Sequence, residues 1–472
     1  AYRLQVIVRT DEPLLLARRA EAGNQYETLE SIPGSVLRGA LAWRIAQRFG
    51  AALNDQERRT EAPYQNFVDL FFRDAVRFSS LLPVQVSKQH KFQGYPTLVT
   101  PRDLVTCKLY PGYKGDPDKG HGVWSLAYDD AMLDQCPDCG ADLESVSGFL
   151  LLNPAGMSVQ FKPQQSVEMH IRIDPDTGRV RTGNLFGYVA LEPGQYFAGE
   201  ITCADEQVWK TLAEMTGLAS PGQVQNLHLG KASRRGYGKV SLLLQEGETP
   251  PWQGTPLQER VTDANKVVLT FISDAIISDP WGRFAQGFAQ EWLQQELDLP
   301  AGVEVCVDET RAFSAVRAVD AFNGKLGLPR TRDQALVAGS SVRLSLSDID
   351  LSTLQAHLAA AETRGIGCRR EEGFGCIVFN HPVHTQLAHW KKGALDLEEL
   401  ELKQEAQQSQ QLLLEFARAW EEILSDKFSN FSQDGRFEAV ARMLHVSTEQ
   451  SDAEIKTALN KLGSEEELLP QK

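Results

Sequence analysis

Gly230-Lys231-Ala232-Ser233-Arg234-Arg235-Gly236-Tyr237-Gly238-Lys239-Val240 is echoed downstream by Gly367-Cys368-Arg369-Arg370-Glu371-Glu372-Gly373-Phe374-Gly375-Cys376-Ile377. Each stretch carries Arg-Arg, then Gly-aromatic-Gly, then the start of a strand, which marks an internal duplication. Closely set glycines permit positive φ and the near approach of another backbone. Arginine forks phosphate oxygens with two parallel hydrogen bonds, and loop amides add donors. The two loops, Gly230 to Val240 and Gly365 to Ile377, therefore read as phosphate clamps. One such loop alone reads equally well as a tight turn with solvated arginines. Two at corresponding places tip the balance toward phosphate binding.

The pattern around the loops is α+β. Tyr2 to Thr10 alternates Leu4, Val6 and Val8 with polar residues, the period of a half-buried strand. Ser35 is placed to cap a helix with Leu37, Leu41, Ile45 and Phe49 on its apolar face. His170 to Asp174 and Val180 to Thr182 flank Pro175-Asp176-Thr177-Gly178, which spells a hairpin. Tyr196 to Thr202 reads as a strand, Glu206 to Thr216 as a helix and Val240 to Leu244 as a closing strand. The proline-rich stretch 248–256 then breaks the chain. A second cycle follows, with strands at Val267 to Ile272, Val303 to Val307 and Ser341 to Leu346, a helix at Leu351 to Glu362 and a strand at Cys376 to Phe379. The expected domains are 1–247, with an insertion at about 80–160, then 260–380, then a helical tail over 388–472.

Composition narrows the function classes. No apolar run approaches the length of a membrane span, and the opening Ala1-Tyr2-Arg3-Leu4-Gln5-Val6 lacks the pattern of a signal peptide, so a cytoplasmic protein without membrane partners is expected. A net charge of -15 argues against coating nucleic acid by bulk electrostatics. Much of that acid lies after Leu395, in Glu398-Glu399, Glu421-Glu422 and Glu465-Glu466-Glu467, which leaves room for a local basic groove. Cys136-Pro137-Asp138-Cys139-Gly140 is a knuckle suited to placing two thiolates on one metal ion. With Cys107 and His121 it completes a three-cysteine, one-histidine set for a structural zinc in the insertion. His90 is the alternative fourth ligand, and a free Cys-x-x-Cys pair the alternative to a metal.

The chain resembles the RAMP superfamily of CRISPR-associated proteins over roughly residues 1–380. The resemblance runs through Ile32-Pro33-Gly34-Ser35-Val36-Leu37-Arg38-Gly39, Leu185-Phe186-Gly187, Phe197-Ala198-Gly199-Glu200-Ile201 and both glycine loops. In the second half, Ser273 to Arg283, Phe322 to Arg330 and Ala338 to Val342 are similar to the large RAMP subunit of subtype III-D effector complexes. The resemblance implies two ferredoxin-like, RRM-like domains and a subunit that holds the repeat-derived 5′ tag of the CRISPR RNA. It also implies a place beside the large polymerase-domain subunit, capping a filament of backbone RAMP subunits, with target RNA met only indirectly. Carried onto this chain, it points to Arg38, Lys231, Arg234, Arg235, Lys239, Arg369 and Arg370 as RNA contacts, with Lys325, Arg330 and Arg332 as weaker ones. Tyr237 and Phe374 are candidates for base stacking, against a plainer role as loop anchors.

A rival reading is an endoribonuclease that processes precursor CRISPR RNA or cuts target RNA. His170 or His228 would serve as base beside the arginine loop. Asp274 and Asp279 are the aspartates to weigh for cleavage, although turn formation explains both. The expectation is a non-catalytic, RNA-binding subunit. A third reading is a scaffold whose loops touch protein rather than RNA.

Overall fold

The alternation of Leu4, Val6 and Val8 puts all three under one face of a strand, Tyr2–Thr10, that lies inside an antiparallel sheet. The computed structural model describes residues 1–20, 25–84, 97–114, 120–153, 157–173, 180–246, 255–320, 322–323, 328–329, 331–385 and 391–392. The first sheet has six strands and runs Val224–His228, Lys239–Glu246, Tyr2–Thr10, Tyr196–Cys203, Val76–Phe78, with Leu82–Val84 also paired to Tyr196–Cys203. Val6 sits opposite Gly199 on one side and Leu244 on the other. Leu37, Leu41 and Ile45 of helix Gly34–Asn54, with Trp209 and Leu212 of helix Glu206–Thr216, close the core beneath. Each fully buried leucine there contributes roughly 1.5–3 kcal/mol of transfer free energy.

The two helices start differently. Asp205 caps Glu206–Thr216 by accepting a hydrogen bond from the Val208 N–H at 2.9 Å, and Gly217 at φ 66° ends it. Ser35, expected to cap the first helix, does not. That helix begins at Gly34 behind Pro33 and has no side-chain cap. A Cβ on Gly34 would lie 2.0 Å from the Phe78 carbonyl, so contact with the neighbouring strand fixes this helix start. The helical stripe expected through Phe49 also breaks there, at φ -119° and ψ 17°.

The second sheet runs Glu304–Phe313, Ser341–Ser347, Val267–Phe271, Ile377–Phe379. Numbered along the chain, the second sheet and the four strands of the first from Lys239–Glu246 to Val76–Phe78 share the order 4-1-3-2 with antiparallel neighbours, so the duplication seen in the loops extends to topology. A separate core of Val267, Leu269, Phe271, Leu344, Leu354, Leu358 and their neighbours fills the second half. Asp350 caps its helix, Leu351–Arg364. Contacts divide the chain into one compact unit, Ala1–Gly222 with Asn226–Glu399, and a second made of Gln223–Gln225 and Leu400–Lys472. The helical tail expected over 388–472 lies outside the described residues except for Lys391–Lys392, which form a short strand. Among the described residues, no helix is long and apolar enough to cross a membrane.

Within the compact unit, the insertion carries a three-stranded sheet, Val123–Ser125, Leu104–Cys107, Leu143–Ser145. It docks on the second half of the chain. Arg311 donates to the carbonyls of Leu126 at 3.0 Å, Asp130 at 2.7 Å and Asp129. Deeper, the fully buried Asp103 carboxylate accepts from Ser125 Oγ at 2.5 Å and Ser341 Oγ at 2.6 Å and lies 3.3 Å from His384 Nδ1. His384 Nε2 reaches Thr270 Oγ1 at 2.9 Å. A buried charge needs such partners. This Asp, Ser and His arrangement is closed to solvent and serves as a polar clasp.

Candidate nucleic-acid interface and metal centre

The two glycine loops match residue for residue. Leu229 N–H donates to the Gly238 carbonyl at 2.8 Å, as Ile366 N–H does to Gly375 at 2.9 Å. Lys231 N–H meets the Leu15 carbonyl at 3.0 Å, as Cys368 N–H meets Ile276 at 2.7 Å. Gly238 N–H donates to Pro13 at 2.9 Å, as Gly375 N–H does to Asp274 at 2.7 Å. Left-handed φ values recur in step, at Gly230 and Gly367 (74° each), Ala232 and Arg369 (64° and 58°), Gly236 and Gly373 (78° and 90°), and Gly238 and Gly375 (88° and 74°).

This equivalence sets the two Arg-Arg pairs at different places in the turn. Arg234-Arg235 superimposes on Glu371-Glu372, whereas Arg369-Arg370 falls on Ala232-Ser233, two residues earlier in the turn. It also corrects the reason for the glycines. A Cβ on Gly238 would lie 2.2 Å from the Leu229 carbonyl, and one on Gly375 would lie 1.8 Å from that of Ile366. The backbone that comes close belongs to the protein itself.

The loops differ in what surrounds them. In the first, Lys231, Arg234 and Arg235 are exposed and Lys239 is half-buried. Arg235 Nη1 donates to the Tyr188 hydroxyl at 3.1 Å, which ties the loop to the strand Val180–Leu191. In the second, Arg369 is held by Asp333 at 2.7 Å and by Glu372, and it lies over the Phe374 ring at 5.0 Å. Burial works against its charge, but the two carboxylates overcome this and raise the Arg369 pKa. Glu372, only 5% exposed, also lies 3.6 Å from Arg38. Arg38 in turn donates to the Phe71 carbonyl and lies over the Phe71 and Phe72 rings at 5.6 and 5.7 Å. The second loop thus closes the joint between the two halves, with Gly373 against the Phe78 carbonyl and Arg77 Nη1 bonded to that of Arg364 at 2.9 Å. Arg38 and Arg369, two of the cations expected to meet RNA, are engaged in that joint. Arg370 remains half-buried at its edge.

Tyr237 and Phe374 are buried, which makes them anchors of their loops rather than stacking platforms. The Tyr237 hydroxyl donates to Glu168 and lies 3.0 Å from His170 Nε2. Burial, followed by the Glu168 carboxylate, pushes this phenol pKa up. His170 is therefore part of a polar cluster under the first loop, whereas His228 is exposed on its own strand. Asp274 accepts from the Ala338 N–H at 2.8 Å and pairs with Arg317. Asp279 accepts from the Trp281 and Arg283 N–H groups at 2.9 Å each, a turn-forming role, and those bonds lower its pKa. Arg332 pairs with Asp320 at 2.7 Å on the surface. Lys325, Arg330 and His90 lie outside the described residues.

The third cluster is the one expected from the knuckle. The ligand atoms of Cys107, His121, Cys136 and Cys139 all lie within 4.8 Å of one another. Cys107 Sγ is 3.6 Å from Cys139 Sγ, and His121 Nδ1 is 3.4 Å from Cys136 Sγ. Sulfurs of a disulfide are bonded at about 2.05 Å. A tetrahedral ion with Zn–S bonds of ~2.3 Å and Zn–N of ~2.0 Å would instead set S···S near 3.8 Å and S···N near 3.5 Å. The donor set therefore fits one tetrahedral metal ion. The Tyr110 N–H donates to Cys107 Sγ at 3.4 Å, and Gly140, at φ 70°, donates its N–H to the Cys136 carbonyl at 2.8 Å.

Residues 19–241, which hold the helix Gly34–Asn54, the strand Tyr196–Cys203 and the exposed loop, match the family model of the RAMP superfamily. Over these residues the chain belongs to the RAMP superfamily. No curated protein matches it. Among solved structures, this RAMP protein is similar to a chain of the "Type III-B Cmr-beta bound to cognate target RNA and AMPPnP", at 12% identity and TM-score 0.35, covering 72% of this chain and 86% of that one. It is also similar to a chain of a "Type IV-B CRISPR Complex", at 12% identity and TM-score 0.26, covering 52% and 94%. Similarity at this level transfers no residue role.

Proposed function

We propose that this RAMP protein is the CRISPR RNA-binding subunit of a type III-D interference ribonucleoprotein, holding the 5′ repeat-derived tag and capping the backbone filament. The observation that carries the reading is the first glycine loop. Lys231, Arg234 and Arg235 stand exposed, and Lys239 half-exposed, on a turn whose backbone is fixed by its own hydrogen bonds. Cations on a rigid turn meet phosphates with little ordering cost. Arg370 adds a lesser contact at the edge of the joint. The shared 4-1-3-2 strand order supports reading residues 1–247 and 260–380 as paired ferredoxin-like RAMP domains. On this reading the partners are CRISPR RNA, the backbone RAMP subunits and the large polymerase-domain subunit, in the cytoplasm. The four-ligand set takes a structural zinc that staples the insertion. The chain binds RNA rather than cutting it, since His170 is engaged with Tyr237 beside Glu168.

Fluorescence anisotropy with a repeat-derived RNA tests this reading. Arg234→Glu with Arg235→Glu should weaken binding strongly and flatten the salt dependence by about 0.7 per lost cation. Unchanged affinity with unchanged salt slope would favour a loop that touches protein. Cleavage of that RNA, abolished by His170→Ala, would overturn the non-catalytic assignment.

A further inference from the structure

We propose that the tip of the cysteine and histidine knuckle is a docking surface for a basic polypeptide with an apolar side chain at the centre of its contact. The inference rests on the reading of the chain as a subunit of a ribonucleoprotein. Leu109 and Tyr110 follow Cys107 by two and three residues, yet they are 66% and 47% exposed. They are not loose ends. The Tyr110 N–H is bonded to Cys107 Sγ, and its ring stacks on His121 with centroids 4.4 Å apart, so two residues of the cluster hold Tyr110 in place and Leu109 lies in the short link between Cys107 and Tyr110. Large apolar side chains held rigidly in water are characteristic of interfaces, because little conformational freedom remains to be lost on contact.

The charge around the pair selects the partner. Residues 131–145 contain Asp134, Asp138, Asp142 and Glu144 and no lysine or arginine. All four acids are exposed. The Lys108 N–H donates to the Asp142 carbonyl at 3.0 Å, and Lys114 pairs with Asp138 at 3.0 Å, which places Asp138 and Asp142 beside the segment that bears Leu109 and Tyr110. Counting Lys108 and Lys114 against the four acids leaves a local charge of -2. Such a surface repels phosphate and attracts lysine and arginine, so polypeptide is favoured over RNA. The Arg311 and Asp103 contacts hold the insertion on the second half of the chain through other residues and leave the knuckle clear of that interface.

The test uses the full chain, produced with the other subunits and guide RNA of its complex, purified and weighed by native mass spectrometry. Two variants are compared with wild type, Leu109→Ser with Tyr110→Ser, and Asp138→Lys with Asp142→Lys. Bound metal is measured alongside as a check of folding. Each variant should lower the occupancy of one neighbouring polypeptide by about tenfold, while metal and guide RNA stay at wild-type levels. Wild-type occupancy of every polypeptide in both metal-replete variants overturns the proposal and leaves the RNA-binding reading intact. Loss of RNA with all polypeptides retained overturns it in favour of an RNA platform. A wild-type chain that carries guide RNA but no other polypeptide overturns it too. One that carries neither overturns the ribonucleoprotein reading as well.

Discussion

Replacing Asp103 with asparagine should separate the insertion from the second half of the chain. The carboxylate is fully buried, receives the Ser125 and Ser341 hydroxyls at 2.5 and 2.6 Å, and faces a buried His384 at 3.3 Å. An amide of the same shape keeps one acceptor but turns a donor toward the second hydroxyl and removes the charge opposite His384. Breaking one partner of a buried pair costs about 3–5 kcal/mol. By contrast, Asp320→Asn, in the exposed pair with Arg332, should cost under about 1 kcal/mol. Urea unfolding gives the two values, and hydrogen exchange shows whether amides of residues 97–153 lose protection first. The clasp also has a pH signature. Burial alone would raise the Asp103 pKa, but the neighbouring His384 and the two hydroxyls overcome burial and hold it at about 2, against an ordinary 3.8. A depressed carboxyl contributes its full stability above the ordinary value and loses it as pH falls toward the depressed one. The gap is worth on the order of 2 kcal/mol, lost between about pH 4 and pH 2 in the wild type and absent from Asp103→Asn. If the two variants cost the same, or the acid loss persists in Asp103→Asn, the clasp does not hold the insertion.

Three further outcomes follow from the loops and the metal site. Glu372→Ala leaves Arg38 without a carboxylate and Arg369 with Asp333 alone, so unfolding free energy should fall by about 3 kcal/mol; limited proteolysis should also open the joint between the halves. Gly375→Ala forces a Cβ to 1.8 Å from a carbonyl oxygen and should cost well over 2 kcal/mol, whereas Gly236→Ala meets open space and should cost only the roughly 1–2 kcal/mol of left-handed backbone, both read by thermal melts. Chelation, or Cys136→Ser, should release one metal ion per chain by mass spectrometry and expose the Leu104–Cys107 strand to exchange, while the first sheet stays protected.

Much of the fold was legible because it rests on local periodicity. The alternation in Tyr2–Thr10, the helix Glu206–Thr216 and the second-half strands emerged where spacing placed them. So did the cluster of Cys107, His121, Cys136 and Cys139, since a knuckle leaves a thiol pair few other uses. The fates of Arg38 and Arg369 were not legible, because Arg38 meets Glu372 more than three hundred residues along the chain and Arg369 is fixed by Asp333 from a separate strand. No local pattern says that Glu372 will meet a helix from the first half. Asp103 was missed for the same reason. Its one visible sign is a charged residue set directly before the apolar run Leu104-Val105-Thr106-Cys107.

The duplicated loops show how one turn can take two roles. Their backbones must be alike, because each is closed by the same three hydrogen bonds and by glycines pressed against their own chain. Only the outward side chains are free to differ. At the positions where the first loop presents Arg234 and Arg235 to solvent, the second carries Glu371 and Glu372, and that reversal of sign lets Glu372 receive Arg38 and Arg369 within the joint. Arginine at both positions would set cation against cation there, beside the half-buried Arg38 and Arg369, at a cost no surface pair could offset. Joining the halves therefore takes the second loop out of solvent, and the first keeps the cations that an RNA backbone would need.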